Sequence, residues 1–273
     1  MAARPKLVVG NWKMNGSRSA NAALLAALKE ASMGNAGVCV CPPSPYLADV
    51  ATALGGSAIR WGAQDCACQE SGAFTGDVSA AMLADLGCTH VIVGHSERRA
   101  LHGESDALVA AKAKAAIAHG LVPIVCVGET IDERESGATE SVVLRQLAAV
   151  VSLLGADTTK IVLAYEPVWA IGGHGRHATV QQAEEAHAVI RHRFSRMFGE
   201  QSAQALTIQY GGSVKPENAA AFLGGQGVDG VLIGGASLQA DQFLAIIRAG
   251  ISIEDAAVGH DESKETLSCK PTL

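Results

Sequence analysis

Eight short apolar runs, each followed by a stretch of helical periodicity, constrain this chain more than any other feature. The runs are KLVVG (6–10), GVCVC (37–41), AIRWG (58–62), HVIVG (90–94), LVPIVCVG (121–128), KIVLAY (160–165), ALTIQY (205–210) and VDGVLIG (228–234). Between them lie helix-like segments. Residues 17–31 carry Leu24, Leu25 and Leu28 at helical spacing, and 178–197 opens on Thr179 and Gln182, a capping-box pair. Strands alternating with helices imply parallel βαβ units. Eight of them in about 250 residues suit one closed (β/α)8 barrel, with a doubly wound open sheet as the competing arrangement.

No Pro/Ser-rich linker divides the 273 residues, so one domain is expected over 1–250. Residues 251–273 lose the periodicity and read as a C-terminal extension, expected to be mobile. Apolar residues make up 48% and charged residues 18%, which is a globular balance. A net charge of −6 argues against a nucleic-acid partner, yet leaves room for a small anion at one local positive site. MAARPKLVVGNWK does not read as a signal peptide, and no apolar run approaches a membrane span, so no membrane partner is expected. Cys39 with Cys41, and Cys66 with Cys68, form C-x-C pairs rather than zinc-type C-x-x-C. They read as buried, reduced thiols, which points to the cytoplasm.

In such a barrel the chemistry sits where strands end. That rule selects Asn11 and Lys13 after the first strand, His95 after the fourth, Cys126 and Glu129 after the fifth, and Glu166 after the sixth. It also selects Gly211, Gly212 and Ser213 after the seventh strand and Gly234 and Gly235 after the eighth. Glycine pairs before a helix let backbone N–H groups converge on an anion; they also simply make tight turns. Ser96, Glu97 and Arg98 can begin a helix behind His95, whose N-terminus disfavours an imidazolium. Each residue alone has a bland reading: a solvated lysine, a structural histidine, a rim acid. Together a base, a neutral hydrogen-bond donor, a cation and a phosphate cradle suit proton abstraction beside a carbonyl in a phosphorylated sugar. Gly173, Gly175 and Ala178 spell G-x-G-x-x-A, but Pro167 to Ile171 separate them from the strand, so no dinucleotide site is read there. No Walker A, HExxH or EF-hand pattern occurs, and no cofactor or metal is expected.

GNWKMN (10–15), CPPSPYL (41–47), GAFTGD (72–77), VGHSERR (93–99), CVGE (126–129), AYEPVWAIG (164–172), YGGSVKPEN (210–218) and GVDGVLIGGASL (227–238) resemble the triosephosphate isomerases, over residues 6 to 250. The resemblance implies interconversion of dihydroxyacetone phosphate and D-glyceraldehyde 3-phosphate on a TIM barrel. It implies Glu166 as the base, His95 as the group that polarises the carbonyl, and Asn11 and Lys13 as substrate contacts. It further implies that Glu97 orders Lys13 and that Gly173, Ser213, Gly234 and Gly235 donate to phosphate. Ser96, Cys126 and Tyr210 support them. A neutral helix-capped histidine and a closing lid, here hinged at Pro167–Val168–Trp169, are established features of that family. The resemblance further implies a homodimer built through Gly72–Asp77, with Phe74 at the loop tip and Thr75 near the partner's site.

Four departures from the family pattern stand out. The lid over Ala170–Ala178 reads one residue longer than usual, so Gly175 or the His174 amide competes with Gly173 for its role. Asp65 replaces an asparagine, His102 replaces an aromatic, and the tail is longer. An idle barrel that only binds a metabolite, or a phosphosugar aldolase, remain rivals. The aldolase needs a late Schiff-base lysine, and strands six to eight show none.

Overall fold

The computed structural model describes residues 6–172 and 177–251. Eight parallel strands close into a barrel in sequential order: β1 Leu7–Asn11, β2 Gly37–Cys41, β3 Arg60–Ala63, β4 His90–Val93, β5 Val122–Val127, β6 Val162–Tyr165, β7 Thr207–Tyr210 and β8 Gly230–Ile233. Around them pack α1 Arg18–Glu30, α2 Leu47–Leu54, α3 Ala80–Asp85, α4 Ser96–His102, α5 Asp106–Ala118, α6 Ile131–Glu135, α7 Thr139–Leu154, α8 Val180–Ala205 and α9 Pro216–Gly224. A last helix covers 240–251. This is the TIM barrel expected from the alternation, and the open sheet is excluded by pairing of β1 with β8.

Strand alternation sorts the apolar residues into two cores. Val9, Cys39, Cys41, Ile92, Ile124 and Cys126 belong to the cluster that fills the barrel, whereas Val8, Val38, Val40, Val91 and Val125 pack outward against the helices. The continuous apolar runs follow directly, because both faces of each strand are covered. At the closing seam a Cβ on Gly230 would lie 2.0 Å from the Leu7 carbonyl oxygen, so the strands meet only because that side chain is missing. Cys39, Cys41 and Cys66 are buried free thiols; Cys68, also expected inside, is only half-buried.

Helix starts follow the capping residues. Ser17 accepts from the Ala20 amide at 3.2 Å, and Thr179 and Gln182 form the reciprocal box that the sequence predicts. α8 runs beyond the predicted end at 197, through a non-helical Gly199 whose φ of 83° turns the chain between two helical pieces. Ala205 and Leu206, read as the start of the seventh strand, instead finish that helix and cap it. Thr139–Lys160 is apolar and long enough to cross a membrane. Its buried Val143, Leu147, Val150 and Leu154 belong to the outer core, so its apolarity is that of a core helix.

One buried group ties this packing to pH. His187 of α8 is fully buried, its Nδ1 3.0 Å from the Gly227 carbonyl oxygen and its ring edge-on to Tyr165 at 6.0 Å. Burial pushes its pKa from 6.5 down to about 4. The folded chain therefore resists a proton that the unfolded chain accepts below pH 6.5. This histidine costs nothing above that pH, and its penalty grows as pH falls, levelling near pH 4. The total is roughly 3 kcal/mol. A His187→Gln chain should show a flatter fall of its urea midpoint between those two pH values. A parallel fall in both chains would show that His187 is not the group responsible.

Candidate active site

The C-terminal ends of the strands converge on a cavity of about 450 Å³. Asn11, Lys13, His95, Glu166, Ser213, Gly234 and Gly235 line it, each delivered by a different strand end or by neighbouring residues of the same one. Glu166 follows β6 and is 1% exposed. Its amide donates to the Val127 carbonyl at 2.7 Å, which continues the β5–β6 pairing by one residue and fixes where the side chain begins.

The carboxylate is held by two donors. Oε1 lies 3.0 Å from Nε2 of His95, and Oε2 accepts from the Ser96 amide at 2.9 Å. Burial works to raise its pKa, but the His95 charge and hydrogen bond, with the Ser96 amide, bring it below the usual carboxylate value. His95 is the N-cap of α4, as its place before Ser96 predicts: its Nδ1 accepts from the Glu97 amide at 3.2 Å. A ring that accepts at Nδ1 carries its proton on Nε2, the atom facing Glu166. Burial works to lower the His95 pKa, but the Glu166 charge and the hydrogen bond to Glu166 together outweigh it, so the ring is raised while that pairing lasts.

Lys13 sits in the left-handed region at φ 51°, the one described non-glycine residue that does so. Three contacts hold this uncommon backbone. Its amide donates to Asn11 Oδ1 at 3.0 Å, its carbonyl accepts from Gln64 Nε2 at 2.9 Å, and its ammonium pairs with Glu97 Oε1. Behind α4, Lys112 reaches both Asp65 oxygens at 2.8 Å and Glu104 at 2.6 Å, and Arg98 reaches Asp65 at 2.9 Å and Glu104 at 2.6 Å. Asp65 thus has two cationic partners, which accounts for a carboxylate there. His102 is exposed beside a hollow that Asp65 and Arg98 also line.

Glu129 is fully buried at the end of β5 and gathers the hinge. Its carboxylate accepts from Tyr165 OH at 3.0 Å, Trp169 Nε1 at 3.0 Å and Arg134 at 3.1 Å, while its carbonyl accepts from the Val168 amide at 3.0 Å. The Arg134 guanidinium also lies 4.8 Å from the Trp169 ring centre. The short 3-10 turn Val168–Ala170 is therefore tied to the barrel rim at its indole.

The triosephosphate isomerase family model matches residues 6–250. The chain belongs to the triosephosphate isomerase family. A triosephosphate isomerase of Thiobacillus denitrificans is 60% identical over 248 residues, covering 90% of this chain and 98% of that protein. One from Ralstonia nicotianae is 55% identical over 250 residues, covering 91% of this chain and 100% of that protein. One from Nitrosococcus oceani is 56% identical, covering 90% and 99%.

Not every residue expected from the triosephosphate isomerase motifs touches the cavity. Glu97 and Ser96 act from its edge, through Lys13 and through the Glu166 carboxylate. Cys126 is buried, not among the lining residues, and burial followed by the Glu166 charge pushes its thiol well up. Tyr210 is likewise buried, stacked on Phe222 at 4.1 Å and packed against Gly212. Gly173, His174, Gly175 and Arg176 lie outside the described residues, so the longer lid and the Gly173 role do too. Sequence reasoning passed over Gln64, Lys215 and Gln242. The last two line the cavity.

Proposed function

We infer that this cavity carries the isomerase activity of its family, the interconversion of dihydroxyacetone phosphate and D-glyceraldehyde 3-phosphate in glycolysis and gluconeogenesis. The observation that supports the assignment is the Glu166 carboxylate beside His95 Nε2 at 3.0 Å, in a cavity that Ser213, Gly234 and Gly235 also line. Glu166 takes a proton from the carbon beside the carbonyl and returns it to the neighbouring carbon. His95 donates from Nε2–H to the carbonyl oxygen as negative charge develops there. Lys13 balances that charge, and Asn11 holds Lys13 in place. Gly173, Ser213, Gly234 and Gly235 receive the phosphate. One proton moves between the adjacent carbons and another between their oxygens, so the reaction needs no redox cofactor.

Both pKa directions suit a resting pose. When Glu166 leaves His95 and Ser96 for the substrate, it loses the contacts that lower its pKa and keeps the burial that raises it. It becomes the stronger base at the moment of use. His95 loses the charge that favours its protonation, and the α4 N-terminus and Lys13 then favour the neutral ring.

The chain is proposed to act as a homodimer through Gly72–Asp77. Phe74 at that loop is 43% exposed, and a second subunit would cover its ring. The free thiols support a cytoplasmic setting. The barrel over 1–250 is proposed as the catalytic domain and 251–273 as an extension outside it, although Ile251 itself belongs to the last helix and packs against Gly34. A coupled assay with D-glyceraldehyde 3-phosphate, run alongside sedimentation, tests these together. The full chain and one ended at residue 251 should both isomerise it at the mass of a dimer. No turnover would leave an idle barrel, and an active monomer would remove the loop's proposed role.

A further inference from the structure

Lys215 lines the catalytic cavity and also a second hollow of about 690 Å³, with Pro216, Glu217, Asp241, Gln242 and Ala245. Lys215 and Gln242 belong to both, so they stand where the outer hollow meets the inner one. Lys215 occupies the N-cap of α9, the positive end of a helix, where a cation is unfavourable and an ammonium has no lone pair with which to cap. The capping is done by others: Asn218 Oδ1 accepts from the Lys215 amide at 2.8 Å, and Pro216 opens the helix. Among the described residues the Lys215 ammonium is in no ion pair, with Glu217 and Asp241 included. The other lysine of the cavity, Lys13, is bound to Glu97, and Glu166 adds a negative charge. Among the described lining residues, Lys215 is thus the positive side chain not already committed.

A triose phosphate dianion approaching a chain of net charge −6 needs local attraction at the mouth. We propose that Lys215 is a specificity-determining residue, which draws the phosphate through the outer hollow and stays beside it once seated near Ser213, Gly234 and Gly235. This rests on the phosphate reading given above and adds a side-chain charge to a cradle of backbone amides. It also gives a reason for a lysine where α9 gains nothing from one.

The test is Lys215→Met in the full chain, with Lys215→Arg and Lys215→Glu beside it. For D-glyceraldehyde 3-phosphate, kcat/KM should fall roughly three- to tenfold in the Met variant, through KM, with kcat within about twofold. Its dependence on ionic strength should become shallower. Arg should restore most of the loss and Glu should deepen it. Proton exchange on unphosphorylated D-glyceraldehyde should be unchanged, and the melting temperature should not drop, since α9 loses an unfavourable charge. A Met variant equal to the parent in kcat/KM and salt dependence would overturn the assignment. So would an equal loss on D-glyceraldehyde, which would mark a structural disturbance. A parent that fails to isomerise would bring down the functional reading itself, and is distinguishable from an active parent indifferent to Lys215.

Discussion

A Glu166→Gln chain should lose most of its turnover, by roughly two to four decades, while still binding a phosphate-bearing inhibitor. The amide is nearly isosteric with the carboxylate but has no basic oxygen to take a proton. The two roles fall on different residues: phosphate is assigned to Ser213, Gly234 and Gly235, and the proton transfer to Glu166. Both partners of the resting carboxylate, the His95 ring and the Ser96 amide, are donors. Glutamine offers one acceptor and one donor, so one of those contacts is lost and the resting pose loosens as well. Steady-state rates in both directions, together with inhibitor titration, check the outcome. Turnover within about tenfold of the parent would put the base elsewhere, because general-base catalysis is worth more than that.

Gly211→Ala should cost about a hundredfold in kcat with little loss of melting temperature. Gly211 directly follows β7, and a Cβ there would lie 2.8 Å from Glu166 Cγ and 3.3 Å from the Tyr165 carbonyl oxygen. Its backbone is not in the left-handed region, so alanine has no conformational objection at that position. The new methyl group therefore presses on the catalytic side chain more than on the fold. A displacement of the order of 1 Å suffices, since proton transfer depends steeply on placement. Parallel measurement of kcat and melting separates the two effects. Full activity would show that the carboxylate accommodates the methyl, and a collapse in melting would show that the fold cannot.

The strands and the reacting groups were legible because each is announced locally. An apolar run, a glycine pair or a histidine before Ser-Glu-Arg carries its meaning within a few residues, and the cap on Glu97 formed as that spacing implies. What stayed hidden joins distant parts of the chain. Gln64 holds the Lys13 carbonyl from 51 residues away, and Glu129 meets Trp169 from 40 residues away. The one signal for the Glu129 hub was chemical: Tyr165 and Trp169 flank Glu166, and each brings a donor into a dry place that must find an acceptor. Lys215 gave no signal, since a lysine before Pro216 reads as an ordinary loop residue until two hollows are seen to meet at it. Strand ends shifted where helix and strand compete for the same apolar residues, as at Ala205 and Leu206.

The pairing of Leu7 with Gly230 has a consequence for how such a chain comes into being. A ring of strands has no outer edge, so the finished protein offers no row of bare backbone amides for a neighbouring molecule to zip onto. That protection arrives only with the eighth strand. While a ribosome is still adding residues, the first strand waits with one flank open, and its partner lies more than 220 positions downstream. The same seam that makes the mature barrel a poor template for aggregation leaves the nascent chain exposed for most of its synthesis. Gly230, with no side chain to clear, is the residue on which that last closure turns.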